Sequence, residues 1–144
     1  MKKIGEVLQL FISKKGSSTR LAQEVIQLDK GGILGDKFYD KDPQRSILLT
    51  SQESYTLAKN HDIHLQFGQL GENILMDYNP YLLPLNSQLK MGETLLEITQ
   101  NCTICKHLSI IDTALPKLLA HDRGIFVRVL QGGNIQCHDA IYLL

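Results

Sequence analysis

Neither sign of charge dominates this sequence, which carries 15 basic and 15 acidic side chains among its 144 residues. A dense block of lysine and arginine, the electrostatic footprint of nucleic-acid binding, is also missing. Long apolar runs are absent, whereas a membrane-spanning helix needs roughly 20 apolar residues in succession. The sequence therefore predicts no nucleic-acid partner and no membrane partner, and it favours a small-molecule ligand.

Few cysteines are present, and the first residues show no export signal. The apolar residues that follow the basic start are interrupted by charged residues at Glu6 and at the Lys14-Lys15 pair, which is not the pattern of a signal peptide. We therefore expect a cytoplasmic protein. In a reducing cytosol its three cysteines are free thiols or ligands rather than a disulfide framework. These cysteines are Cys102, Cys105 and Cys137.

Short strand-like segments are what the sequence has in abundance. Each is rich in branched residues and is bounded by turn formers. They cover residues 5–12, 24–28, 46–49, 73–76, 94–99, 125–130 and 140–143. The sequence Thr50-Ser51-Gln52-Glu53 has the pattern of a capping box and predicts a helix from Thr50 to about residue 60. A second helix is predicted over residues 112–122, with Leu115, Leu118 and Leu119 on its apolar face. We predict a single, mostly β domain over residues 1–144, a closed or nearly closed barrel with a few short helices.

Two glycine-rich stretches are candidate ligand-binding turns. Residues 31–37 contain three glycines and end in Asp36-Lys37, so the stretch can cradle an anion or form an ordinary turn that Asp36 fastens. Residues 68–74 lead through Glu72 and Asn73 into an apolar strand. The amide of Asn73 can bind the edge of a heterocycle, or it can pin the backbone of the turn.

The third candidate stretch, residues 99–107, brings two thiols close to a cation and an imidazole. Four interpretations are open from the pattern alone. The cysteines can form a structural zinc site, a thioredoxin-like redox pair, or inert buried thiols. A zinc site would use Cys102, Cys105 and His107 with Cys137 or His138. In the fourth interpretation a single thiolate acts as nucleophile, sulfur carrier or soft-metal ligand.

Taken together and in order, these stretches resemble the MOSC domain, which occurs at the C-terminus of molybdenum-cofactor sulfurases and as small stand-alone bacterial proteins. The resemblance rests on five elements that span most of the chain. They are the Gly-x-x-Gly-Asp turn that ends at Asp36, the segment from Arg45 to Thr50, the Gly-Glu-Asn-Ile element around Asn73, a small strand pair around residues 89–92, and a strand leading to Cys105.

This resemblance implies a β-barrel with a few short helices, and it makes Cys105 the family cysteine rather than Cys102. In family members that carry the pterin-based molybdenum cofactor, a cysteine thiolate is a ligand of the metal, and others handle sulfur as a persulfide. By the same resemblance Asp36, Arg45, Thr50 and Asn73 are cofactor-binding candidates, because a pterin phosphate needs backbone amides and a guanidinium fork.

The resemblance thus implies a protein that binds molybdenum cofactor through Cys105, the candidate catalytic residue and metal ligand. Such a protein reduces N-hydroxylated compounds, as an oxidoreductase, or passes sulfur or cofactor to a redox or sulfur-transfer partner protein. The alternative from another class is a cofactor-free binding or structural barrel in which the cysteines are inert or bind zinc.

Overall fold

The computed structural model describes residues 1–17, 19–102, 106–120 and 124–144, the side chains of residues 106 and 107 excepted. Within these residues the chain forms eleven strands, three short helices and a 3₁₀ turn at Pro80–Leu82. The strands are β1 (Lys2–Ser13), β2 (Arg20–Gln23), β3 (Val25–Asp29), β4 (Gly32–Ile33), β5 (Ile47–Ser51), β6 (Ile74–Met76), β7 (Gln88–Met91), β8 (Thr94–Asn101), β9 (Ile125–Gln131), β10 (Gly133–Gln136) and β11 (Ala140–Leu143). The helices are α1 (Gln52–Lys59), α2 (Lys106–Ile111) and α3 (Leu115–Leu118).

Seven of the strands close into a barrel in the order β1-β11-β7-β8-β9-β5-β6, and β6 returns to β1. All neighbours around this ring are antiparallel except β5 and β6, which run parallel. A smaller sheet, β10-β3-β4, lies outside the ring, and β2 extends the far end of β1. The prediction of a mostly β barrel with a few short helices is therefore confirmed.

Strand β1 changes partners along its length. Its first residues pair with β11, with Lys2 opposite Leu143, and its middle pairs with β6. Its last residues pair with β2, with Ser13 opposite Arg20. The register shifts twice along β1, and such bulges bend a strand and increase its twist. One strand can therefore both close the barrel and carry β2 beyond it.

The barrel interior is filled because side chains alternate along each strand. On β8 the residues Thr94, Leu96 and Ile98 are fully buried, while Leu95 and Glu97 between them are half-buried. Strand β6 is buried on both faces. Its residues Ile74 and Met76 belong to the barrel core, whereas Leu75 packs into a second apolar cluster with residues of the helices. This second cluster holds the helices against the outside of the barrel.

Both helices that the sequence predicts differ in their limits from the helices of the structure. Helix α1 begins at Gln52, and its cap is Ser51, whose hydroxyl oxygen accepts a hydrogen bond from the amide of Glu53 at 3.0 Å. Thr50 is not the cap, because β5 continues through Thr50 and Ser51 in parallel pairing with β6. The parallel ladder thus overrides the capping box.

The predicted helix over residues 112–122 is wrong in its limits. Of this range the structure describes residues 112–120, where the helix α3 covers only Leu115–Leu118, and α2 ends at Ile111, directly before the predicted start. The carboxylate of Asp112 accepts a hydrogen bond from the amide of Ala114 at 2.8 Å, which forms a turn between them. None of the helices among the described residues is long and apolar enough to cross a membrane.

Candidate functional site

A pocket of about 950 Å³ opens on the outside of the barrel. Its walls come from the start of β2, the segment 37–48, the turn 66–73, the end of β8, α2 and the side chain of Phe126 on β9. The described lining contains four cationic side chains, Arg20, Lys37, Lys41 and Arg45, against one carboxylate, Asp42. Because the whole chain has no net charge, this concentration of positive charge makes the pocket attractive to an anion.

The same pocket is also apolar over much of its surface. Seven large apolar side chains contribute to its lining, and four of them are substantially exposed at the protein surface. The seven are Phe38, Leu48, Phe67, Leu70, Ile110, Ile111 and Phe126. A cavity of this size, with apolar walls and a few charged groups, suits a ligand that joins an apolar or heterocyclic body to an anionic group.

The two glycine-rich stretches meet at one wall of this pocket. The Oδ1 atom of Asp36 accepts a hydrogen bond from the amide of Ser13 at 2.8 Å, and Oδ2 accepts one from the amide of Phe38 at 3.1 Å. Asn73 accepts from the amide of Leu48 at 3.1 Å and donates to the carbonyl of Phe11 at 3.2 Å. The two side chains also approach each other to 3.5 Å. Both are buried and tie neighbouring strands and turns together.

The other predicted site residues have different positions. Arg45 lines the pocket, and its guanidinium carbon lies 5.1 Å from the centre of the Phe126 ring, a cation–π contact that orients it. Thr50 is fully buried in β5 and does not line the pocket, and its hydroxyl has no hydrogen-bond partner among the described residues. Cys105 lies outside the described residues.

A buried tyrosine and glutamate fix the turn at residues 66–73. The Tyr55 hydroxyl donates a hydrogen bond to Oε2 of Glu72 at 2.5 Å, and it accepts from the amides of Gly68 and Leu70. Burial, and then the negative charge of Glu72, raise the pKa of Tyr55 above its ordinary value. Gly68 itself has a φ of +94°, and a Cβ atom there would lie 3.2 Å from the ring of Phe11. The turn therefore has one well-determined conformation.

This barrel and its pocket wall correspond to a known family. The family model described as the MOSC domain matches residues 35–142 of the sequence. The chain belongs to the MOSC domain family. No curated protein matches the sequence.

Solved structures share the fold of this MOSC domain at low sequence identity. The YuaD protein from Bacillus subtilis has a TM-score of 0.84 and 18% identity, with 97% of this chain and 96% of that chain covered. YiiM from Geobacillus stearothermophilus has a TM-score of 0.70 and 17% identity, covering 99% of this chain and 74% of that one. YiiM from Escherichia coli has a TM-score of 0.68 and 16% identity, covering 96% and 69%. The likeness extends over almost the whole MOSC domain and establishes its fold.

Cys102 and Arg20 line the pocket, although the family resemblance gave neither residue a role in the site. Cys102 follows β8, is 7% exposed, and lines the pocket, although the family resemblance points to Cys105. Arg20 lies at the start of β2, in a stretch with no motif and outside the segment that the family model matches. Its position in the wall depends on the pairing of β2 with β1, which joins Arg20 to Ser13.

Removing the Tyr55 hydroxyl tests how strongly this turn is fixed. In Tyr55→Phe, Glu72 loses its shortest hydrogen bond in a fully buried position, so we expect the free energy of unfolding to fall by about 1–3 kcal/mol. Tyr81→Phe is the matched control, because the Tyr81 hydroxyl is exposed and lies 3.4 Å from the carbonyl of Ala120. Urea denaturation of the three proteins measures the effect. Equal stabilities of Tyr55→Phe and Tyr81→Phe would contradict it.

Tyr55→Phe is also expected to change how the stability of the protein depends on pH. The pKa of Tyr55 in the folded protein is raised above the ordinary 10.0, so the unfolded chain loses the proton first as the pH rises. The stability that Tyr55 contributes is therefore complete below pH 10 and is lost progressively above it. We expect the wild type to lose more stability between pH 9 and pH 11 than Tyr55→Phe does.

Proposed function

We propose that residues 1–144 form a single MOSC domain that binds a pterin-based molybdenum cofactor in the pocket, with the thiolate of Cys105 as a metal ligand. With the cofactor bound, the protein either reduces N-hydroxylated compounds or passes sulfur or cofactor to a partner protein. The observation that carries this proposal is the cationic and partly apolar pocket, which lies where the chain leaves β8 toward Cys105.

The described lining of the pocket fits a pterin-based cofactor. A pterin carries a planar heterocycle and a phosphate, and the pocket offers apolar walls together with four cations. One of these cations, Arg20, forms no ion pair among the described residues, and its buried Nη1 has no hydrogen-bond partner there. A guanidinium that lines a pocket without a carboxylate partner suits an anionic ligand.

Each side chain has a distinct part in this proposal. The guanidinium of Arg45, oriented on the ring of Phe126, binds the anionic part of the ligand. Asp36 and Asn73 hold the two glycine-rich turns in place through their bonds to backbone groups. Thr50 is fully buried within β5 and does not line the pocket, so it has no contact with the ligand in this proposal. When bound, the cofactor supplies a redox-active metal, and a soft cysteine thiolate suits such a metal.

The enzyme and carrier forms of the proposal differ in what they require. Reduction of an N-hydroxylated compound consumes two electrons and two protons and yields the N–H compound and water, so an external reductant must deliver the electrons. Purified protein with a full complement of molybdenum is therefore tested with a hydroxylamine-type base and dithionite. Turnover supports the enzyme, whereas full metal loading without turnover supports the carrier.

Metal analysis of protein purified from its native host tests the cofactor itself. We expect molybdenum at close to one atom per chain and no stoichiometric zinc, measured by inductively coupled plasma mass spectrometry. The described residues contain no group of three His, Cys, Asp or Glu side chains placed to hold a metal ion. Stoichiometric zinc that disappears in Cys102→Ser, without molybdenum, would instead support the cofactor-free alternative with zinc-binding cysteines.

A further inference from the structure

Arg20 is a half-buried cation whose charge is balanced at a distance. Burial lowers its pKa, and the negative charges of Asp36 and Glu72 oppose that effect. Neither carboxylate forms an ion pair with it, since the ion pairs among the described residues are Lys3–Glu6 and Arg128–Glu97. The negative charges of these two carboxylates thus stabilise the charged form of Arg20, although neither carboxylate forms an ion pair with it.

Three of the four carboxylate oxygens have hydrogen-bond partners elsewhere. Both oxygens of Asp36 accept hydrogen bonds from backbone amides, and Oε2 of Glu72 accepts one from the hydroxyl of Tyr55, whereas the buried Oε1 of Glu72 has no hydrogen-bond partner among the described residues. The fold therefore supplies negative charge near the guanidinium of Arg20 without forming an ion pair with it, and Arg20 contributes to the pocket wall. A structural arginine would bond to a carboxylate or a carbonyl, as Arg128 does with Glu97.

We propose that Arg20 anchors the phosphate of a phosphomonoester ligand in this pocket. A phosphate dianion matches the donor fork of a guanidinium and the surplus of positive charge that Lys37, Lys41 and Arg45 add. The apolar body of the same ligand packs against Leu70 and Phe67, which line the pocket with Arg20. That this phosphate is the cofactor's own rests on the proposed function, whereas the anchoring role of Arg20 rests on the pocket.

This role falls on a residue outside the segment that the family model matches. The matched segment begins at residue 35, and Arg20 reaches the pocket because β2 pairs with the end of β1. Arg20 therefore adds an anion contact to the wall that the two glycine-rich turns form.

Binding of phenyl phosphate to protein produced in a host that makes no molybdenum cofactor tests the anchor directly. We expect Arg20→Gln to weaken binding by at least about tenfold, as the loss of a charge-assisted hydrogen bond does. Lys2→Gln, which removes an exposed cation that does not line the pocket, is expected to change binding by no more than about twofold. Isothermal titration calorimetry measures both. Equal weakening in the two variants, or no binding to the wild type, overturns the proposal.

A second measurement needs no variant and holds even where Arg20→Gln fails to fold. Phenylglyoxal modifies accessible arginines, and mass spectrometry locates the modified residues. Saturating phenyl phosphate is expected to slow the labelling of Arg20 at least threefold while that of Arg128, which is paired with Glu97, stays unchanged. Unchanged labelling of Arg20 overturns the anchor.

The molybdenum content of the native protein separates this inference from the proposed function. Phenyl phosphate binding that depends on Arg20, in a protein that never contains molybdenum, supports the anchor and removes the cofactor proposal. Full molybdenum loading together with phenyl phosphate binding that does not depend on Arg20 supports the cofactor proposal and overturns the anchor. If the phosphate belongs to the cofactor, Arg20→Gln protein also retains less pterin after gel filtration, as read from the fluorescence of the released and oxidised pterin.

Discussion

Protein purified as Cys105→Ser from the native host is expected to contain less than about a tenth of the molybdenum that the wild type contains. Even a residue that only supports a metal ligand contributes 10–100-fold to metal affinity, and the ligand itself contributes more. A serine hydroxyl stays protonated at neutral pH and is a hard donor, so it does not replace a soft thiolate. Any reduction of N-hydroxylated compounds is expected to fall in proportion to the metal.

Two other cysteines of the chain provide the controls for this loss. Cys137 lies away from the pocket, its thiol donates to the carbonyl of Gln23 at 3.5 Å, and burial raises its pKa. Cys137→Ser is therefore expected to retain the molybdenum of the wild type. Cys102→Ser alters the pocket wall and tests whether that thiol takes the place of Cys105. Wild-type metal in Cys105→Ser, with the loss confined to Cys102→Ser, would assign the ligand to Cys102.

Asn73→Ala is expected to lower the free energy of unfolding by about 2–4 kcal/mol. Its side chain joins β1 to the start of β5 by accepting from the amide of Leu48 and donating to the carbonyl of Phe11. Truncation leaves both buried backbone groups without these partners, and each costs about 1–3 kcal/mol. Urea denaturation monitored by circular dichroism measures the change.

Asn60→Ala provides the matched comparison, because Asn60 is exposed at the end of α1. Substitutions at such surface sites stay within about 0.5 kcal/mol. The pair of variants also distinguishes two roles for Asn73. Wild-type stability in Asn73→Ala combined with loss of bound cofactor would make its amide a direct ligand group, whereas a large loss of stability supports a role in fixing the pocket wall.

Seven of the eleven strands among the described residues were predicted from their local signal. The short strands β2, β4 and β10 were missed, and β7 was indicated only by the family resemblance. Alternation of apolar residues along β8 and β9 reports the barrel interior directly, and turn formers mark the ends. The helices were predicted less well because contacts between distant segments determine them. The capping box at Thr50 gave way to pairing with Leu75, a residue that the local sequence does not include.

The apolar face predicted for the second helix is informative despite the wrong limits. Leu115 and Leu119 are both fully buried in the outer cluster, so the pattern identified the right residues for burial. It did not identify the break after Ile111, which depends on the side chain of Asp112 bonding to the backbone of Ala114. The buried leucines of this segment could therefore be predicted, whereas the limits of the helix could not.

Part of the pocket could be predicted because some of its residues lie in stretches with a local sequence signal. Arg45 and Asn73 belong to stretches with an unusual local composition, and both line the pocket. Arg20 does not, since the sequence around it is unremarkable and only the pairing of β2 with β1 brings it to the wall. A single basic residue beside a strand signal gives no indication of what that strand will pair with.

The division of β1 among three partners also constrains the order in which this protein can fold. The Lys2–Leu143 pair joins residues from the two ends of the described chain, and contacts of that separation carry a large loop-closure cost. During synthesis on the ribosome, the first residues of β1, from Lys2 to Gly5, have no strand to pair with until residues 140–143 have emerged. Its second half meets β2 almost at once, so the wall that carries Arg20 can form early, while closure of the barrel is a late event.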